Sequence, residues 1–182
     1  MPEVVRVDRR CRIREVVTTR GFEALAESPA ITSWIAGTEA TPAPWRVAQA
    51  LLTLREQVNK QAPKRKKGSD GTIGNAEHAT RDSDHNPWVK DGAMGVVTAM
   101  DITHDPKNGC DAGVLAEAIR KSKDKRVKYI IWNRQIANFQ ALDGKPAWAW
   151  RPYRGTNPHD HHVHISVHET KSRYDSTDAW KI

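Results

Sequence analysis

The chain has 182 residues, of which 38% are hydrophobic, which is enough to bury the core of one domain plus an extension without disulfide help. Its formal charge of +7 favours an anionic partner: nucleic acid, an acidic membrane face, or a bacterial wall rich in teichoate and carboxylate. Cys11 and Cys110 stand far apart in no paired spacing, which excludes a disulfide framework and a cysteine zinc knuckle, and no apolar run approaches the length of a membrane span.

Residues 4–17 alternate loosely between apolar side chains and Arg, as one or two short strands or an arm would. A short helix is expected around Phe22 and Leu25, then an apolar turn at Ile31, Trp34 and Ile35, and a linker over 38–44. Pro44 suits a first helical turn, and Trp45, Ala48, Leu51, Leu52, Arg55 and Val58 follow at helical spacing, so the pattern predicts a helix over 44–61. Residues 63–71, with Lys64, Arg65, Lys66 and Lys67, read as a solvated basic turn, with polyanion contact as the sharper alternative. Residues 78–95 are polar and turn-rich, and 96–102 then reads as one buried strand. Asp111 caps a helix over 112–122 with Val114, Leu115, Ala118 and Ile119 turned inward. A strand over 127–132 and a hairpin of 136–140 and 147–150 about Asp143-Gly144 come next. A histidine-rich strand and a polar tail end the order, which predicts an α+β fold with a small antiparallel sheet and flanking helices.

That last strand carries the strongest chemical signal. The run His159-Asp160-His161-His162-Val163-His164, followed by Ile165-Ser166-Val167-His168, holds five of the chain's eight histidines. Alternation sends Val163, Ile165 and Val167 to a core and sets His162, His164, Ser166 and His168 on the other face, with the first two imidazoles about 7 Å apart at their Cα atoms. One of the pair can bind a metal while the other reaches a reactant. A catalytic zinc site takes three protein ligands and leaves a fourth position open. Candidate partners for His164 are His85, in Ser83-Asp84-His85, and Asp101, an acidic residue closing the apolar strand Val97-Thr98-Ala99-Met100-Asp101; Asp84 and Asp105 are alternatives to Asp101.

These residues resemble the zinc peptidases that include D-alanyl-D-alanine carboxypeptidases, phage endolysins of the L-alanyl-D-glutamate peptidase type and penicillin-insensitive murein endopeptidase. Their pattern S-x-H-x-x-G-x-A-x-D is met at its opening by Ser83-Asp84-His85 and at its close by Ala99-Met100-Asp101, and the endopeptidase branch's H-D-x-H-x-H by residues 159–164. The resemblance, over roughly 44–168, implies a fold of the hedgehog and D-Ala-D-Ala peptidase type. It also implies one zinc per chain on His85, Asp101 and His164, and a zinc-activated water that hydrolyses a peptide bond of bacterial peptidoglycan. Two departures stand out: fifteen residues separate His85 from Asp101 where the family has six, so 86–95 is expected as an inserted lid or specificity loop, and Val97 replaces the family's Gly.

The carboxypeptidase branch has a catalytic Glu three residues before the ligand His, where this chain has His161, so the proton-handling group is expected to be His162, with His159 as support or a second catalytic histidine. Arg81 is expected to hold a substrate carboxylate or the developing oxyanion. Ser83 and Trp132 complete the expected substrate-binding set; Ser83 otherwise bonds its own turn or orients a ligand, and Trp132, Trp148 and Trp150 suit a core or cleft wall ahead of a glycan-stacking platform. His78 and His104 are loop residues that can line the cleft, and His161 and His168 are bystanders. The expected domains are an extension, 1–43, and a zinc peptidase domain, 44–182. Met1-Pro2-Glu3 begins no secretion signal, so an endolysin made in the cytoplasm of a phage-infected or prophage-bearing host, reaching the wall only after release, is expected. Its partners would be the peptidoglycan stem peptide and anionic wall polymers, with no membrane span and no nucleic acid, and the protein would be a monomer. The competing readings are a metal-dependent nuclease, because Asp84-His85 with Pro87 resembles the opening of His-Asn-His endonucleases, and a zinc- or wall-binding module without turnover.

Overall fold

The computed structural model describes residues 44–74 and 82–182. The strands and helix expected within 4–37, together with His78 and Arg81, lie outside the described residues.

The element order is β1 (Trp45–Val47), α1 (Gln49–Gln61), β2 (Val89–Asp91), β3 (Met94–Val97), β4 (Ala99–Thr103), a 3-10 turn (Pro106–Asn108), α2 (Ala112–Ser122), β5 (Val127–Trp132), β6 (Gln135–Asn138), β7 (Trp150–Pro152), β8 (His162–Val167) and α3 (Lys171–Tyr174). Among the described residues, two small sheets and three helices make a mixed architecture consistent with α+β. The five-stranded sheet is antiparallel throughout, in the order β4-β8-β5-β6-β7, and the three-stranded sheet runs β1-β3-β2 with β1 parallel to β3. Among the described residues no helix is long and apolar enough to cross a membrane.

The helix expected over 44–61 begins later, at Gln49, because Trp45–Val47 spends its backbone groups on β3. Gly95 N–H donates to the Pro44 carbonyl at 2.8 Å and Ala48 N–H to Val97 at 2.9 Å. Three-residue β1 is also clamped by Arg46, which pairs with Asp91 at 2.8 Å and with Asp175 at 2.7 Å. The single strand expected over 96–102 is two: Thr98 breaks it, sending β3 to the small sheet and β4 to the large one. The expected inserted loop, 86–95, is in its larger part the β2–β3 hairpin of the small sheet. Gly95 is required there, since a Cβ would stand 2.7 Å from the Pro87 Cβ and 2.9 Å from its carbonyl oxygen.

Helix α2 and strand β5 fall where the pattern places them. Asp111 caps α2 by accepting from Gly113 N–H at 2.8 Å and Val114 N–H at 3.2 Å. Its buried side is Ala112, Leu115, Ala116 and Ile119; Val114, expected inward, is 68% exposed because it falls on nearly the opposite face of the helix. The β6–β7 hairpin turns through Asp143 and Gly144, both at positive φ (53° and 69°), the pair that a two-residue mirror-image turn needs. Val163, Ile165, Val167, Met100, Ile102 and Ile130 form the inner face of the large sheet, fully or almost fully buried, with α2 packed on β5 and β8 and α1 on β4. The tail is not merely polar: Trp180 is buried and donates its indole N–H to the Ala50 carbonyl in α1 at 2.8 Å.

The basic turn is only partly solvated. Lys64, Lys66 and Lys67 are exposed, but Arg65 is buried and forks onto Asp70 at 2.7 and 2.8 Å while its Nε donates to Asn59 at 2.9 Å. Burial works to raise the Asp70 pKa, and the bonds from Arg65 and Thr103 outweigh it, holding the carboxyl below its ordinary value. A carboxyl depressed in the fold stabilises above its unfolded pKa, near 4, and loses that contribution as the pH falls further. Asp70→Asn is therefore expected to cost about 3 kcal/mol at pH 7, by stranding a buried guanidinium, and to blunt the acid loss of stability below about pH 4. Urea unfolding at pH 7 and pH 3 checks this; a cost below about 1 kcal/mol at pH 7 would show the pair to be dispensable.

Candidate metal centre

The outer face of the large sheet, opposite the helices, collects the histidines. In the β4–β8 register Asp101 sits directly across from His164, Thr103 across from His162 and Ala99 across from Ser166, so the period of two on both strands puts carboxylate and imidazoles on one face. On the other flank of β8, Ile131 of β5 faces His164 and Tyr129 faces Ser166.

His85 arrives from a turn. Its backbone N–H donates to Ser83 Oγ at 3.3 Å, Asn86 N–H to the Ser83 carbonyl at 2.9 Å, and the Trp88 indole N–H to that same carbonyl at 2.9 Å. Gly74 N–H donates to the His85 carbonyl at 2.9 Å, and Gly71 pairs with Asp101 along the free edge of β4. At position 71 a Cβ would press on Asp101 Oδ2 at 3.2 Å, so a side chain there would crowd the carboxylate.

Three candidate ligand side chains converge. His85 Nε2 lies 3.1 Å from His164 Nδ1 and 3.3 Å from Asp101 Oδ2, and His164 Nδ1 lies 3.0 Å from Asp101 Oδ1. All three residues are buried or nearly so. The outer nitrogens are occupied: His85 Nδ1 donates to the Thr72 carbonyl at 2.7 Å, and His164 Nε2 meets Ser166 Oγ at 3.0 Å. A carbonyl only accepts, so neutral His85 must carry its hydrogen outward and turn a lone pair toward His164 and Asp101. Three lone-pair atoms packed this closely repel unless something positive sits among them, and a proton on His164 Nδ1 or a metal ion supplies it. Burial works to raise the Asp101 pKa, yet the bonds to His164 and His85 hold it far below the carboxylate range; burial works to lower the His85 pKa, and Asp101 raises it overall. The cluster attracts positive charge, and His85, Asp101 and His164 form a group that could hold a metal ion.

Around this set stand further polar residues. His162 is half-buried, with its Nε2 3.7 Å from Asp101 Oδ2, and burial lowers its pKa, keeping it neutral near pH 7. His159 is buried at a left-handed φ of 53°, held by Asn157, and burial followed by the neighbouring His164 lowers its pKa to about 4. Its ring packs on edge against those of His162 and His164 at 5.1 and 5.4 Å. Tyr129, which the sequence reading does not single out, stacks on His164 at 5.5 Å with planes 11° apart, and burial keeps its phenol protonated. The β-strand alternation of 127–132 and its place beside β8 are the signals that could have found it, but a bulge between Val127 and Tyr129 shifts the parity.

The other named residues lie elsewhere. Ser83 shapes the turn that holds His85. Trp132 is on the helix side of β5, in phase with Ile130, with its ring 5.0 Å from His104 and its indole against Gly113, so the structure does not bring it to the cluster. Trp148 and Trp150 likewise pack on the core. His104 accepts from Ala112 N–H at 3.1 Å and supports the start of α2. Asp105 accepts from Lys66 N–H and from the Asn108 side-chain amide at 2.8 Å each, and Asp84 pairs with Lys128 at 2.9 Å, so neither alternative to Asp101 joins the cluster. His161 is exposed, with its side chain 84% accessible, because β8 begins only at His162. His168 lies past the end of β8, its ring 4.1 Å from Phe139. Comparison with protein-family models, with curated proteins and with solved structures finds no match.

Proposed function

We propose that the protein is a zinc-dependent peptidase of the D-Ala-D-Ala carboxypeptidase and murein endopeptidase type, cutting a peptide bond in bacterial peptidoglycan in the manner of a phage endolysin. The observation that carries the reading is the convergence of His85 Nε2, His164 Nδ1 and the Asp101 carboxylate at 3.0 to 3.3 Å. Ligands at about 2.0 to 2.1 Å from a tetrahedral zinc stand about 3.3 Å from one another, so the set fits that ion with little movement. Two imidazoles and one carboxylate are also the donors of a hydrolytic zinc site, and a bound zinc supplies an acidified water and a polarised carbonyl.

This chain's own residues do the rest. Thr72 and Ser166 fix the two ligand rings from behind, as outer partners of metal-binding histidines do. His162, neutral and beside Asp101, is placed to accept a proton from the attacking water and to return it to the leaving amine. His159, neutral and edge-on to His162, excludes water and keeps that ring in place. The protonated Tyr129 stiffens His164 from the β5 side. Positive charge on Lys64, Lys66 and Lys67 suits an anionic wall, and action on the wall after release from a host cytoplasm belongs to the same proposal. A nuclease of the His-Asn-His type would carry its last ligand on a helix, whereas His164 lies within a strand.

The test is metal analysis of the purified protein together with digestion of isolated peptidoglycan, scored by new free amines. Wild type is expected to carry one tightly held zinc and to release amines, and His162→Ala to keep that zinc while turnover falls about 100-fold or more. Zinc-free active protein, or metal-dependent nicking of plasmid DNA without amine release, would overturn the reading.

A further inference from the structure

His162 and His159 are assigned above to proton handling and support, yet their geometry carries more than that. His162 Nε2 is a buried atom with no hydrogen-bond partner, 3.7 Å from Asp101 Oδ2. Native structures seldom leave such an atom alone, and a bound ion is one of the things that explains it. His159 repeats the ligand pattern: Nδ1 donates outward to the Asn157 carbonyl at 2.9 Å, which leaves the lone pair of the neutral ring on Nε2. The left-handed backbone at His159, fixed by its N–H bond to Asn157 Oδ1 at 3.0 Å, turns that ring toward the cluster. Ligand atoms of Asp101, His159 and His162 all lie within 4.8 Å of one another. Asp101 belongs to both sets, with Oδ1 toward His164 and Oδ2 between His85 and His162. A carboxylate can serve two cations at once by giving each an oxygen.

We infer that Asp101, His159 and His162 form a second divalent-cation site that shares the Asp101 carboxylate with the first. It is the wider and weaker of the two, because its ligand atoms are further apart and a second cation is repelled by the first. The consequence for turnover rests on the peptidase reading: a cation on His162 Nε2 takes away the lone pair that accepts the proton, so zinc in excess inhibits.

The experiment is titration of the full chain with zinc and with cobalt(II), read by calorimetric stoichiometry and by the cobalt visible spectrum, with amine release followed in parallel. Wild type is expected to take up two equivalents in two steps, with amine release falling on the order of 100-fold across the second. His162→Ala and His159→Asn, the latter chosen because Asn accepts the left-handed backbone, are each expected to take up only one. His161→Ala removes an exposed neighbour and is expected to keep two. Saturation at one equivalent in wild type overturns the second site and leaves the zinc peptidase standing. A second equivalent that survives both site variants but is lost in His161→Ala belongs to the surface and also overturns it. Two equivalents in wild type and one in each of the two site variants, with no amine release under any condition, would uphold the cation pair and sink the peptidase.

Discussion

His164→Ala is expected to lose its zinc on dialysis and to release amines from peptidoglycan about 1,000-fold more slowly than wild type, or slower. His164 Nδ1 is the atom closest to both other ligands, 3.1 Å from His85 and 3.0 Å from Asp101, so its removal leaves two donors facing an open gap. Two protein ligands do not hold a catalytic zinc. Loss of the ion removes several kcal/mol of transition-state charge stabilisation, and each 1.4 kcal/mol is a factor of ten. The fold is expected to survive, because Val163, Ile165 and Val167 on the opposite face of the same strand are untouched and fully buried. Atomic absorption on the dialysed variant, with a circular dichroism melt beside it, makes the check. One equivalent of zinc retained in a folded His164→Ala protein would remove this residue from the centre.

Trp180→Ala is expected to produce the opposite pattern, a large loss of stability with the centre unchanged. The indole N–H bonds to Ala50 in α1, the Trp180 backbone exchanges bonds of 2.7 and 3.1 Å with the Gln57 side chain, and the Arg126 guanidinium covers the ring at 4.0 Å. Arg126 is itself steadied by Asp124 at 2.7 Å and by the Asp178 carbonyl at 2.6 Å. Truncating a buried Trp costs about 3 to 5 kcal/mol, a third or more of the stability of an ordinary domain, which lowers the melting midpoint by roughly 8 to 16 °C for a chain of this size. At 20 °C the zinc content of the surviving folded protein should equal that of wild type. A midpoint within about 3 °C of wild type would show that the tail contributes little.

The outward face of β8 was legible because the strand period is short and strict. Val163, Ile165 and Val167 announce the inner face of β8, which forces His162 and His164 outward, and Asp101 stands out as an acidic residue closing an apolar run. Helix α2 was legible from Asp111 and a clear apolar stripe. Other features were not local in the sequence. Trp45–Val47 reads as helix because apolar spacing over three residues fits both periods, and only pairing with β3, some fifty residues on, decides for a strand. Thr98 looks like any strand threonine, and its role as the point where two sheets part depends on partners far along the chain. Trp132 packs on the core, the alternative its type allowed, and the bulge at the start of β5, which sets its face, leaves no mark in the sequence. Trp180 sits in a stretch with no period at all, and its burial follows from a slot made by α1 and Arg126.

Thr98 also sets the boundaries of what can be transplanted. With a single residue between β3 and β4, the hairpin that follows His85 and the strand that carries Asp101 are one covalent piece anchored in two sheets. Chimeras joined at Thr98 would part Asp101 from the scaffold that aims it, whereas the hairpin tip at Gly92 lies outside both sheets' pairing and can change length freely. A minimal graft of this centre onto another antiparallel sheet must carry residues 82–103 uncut, together with 71–74, which hold His85 and Asp101, and the segment 159–167 that ends in β8.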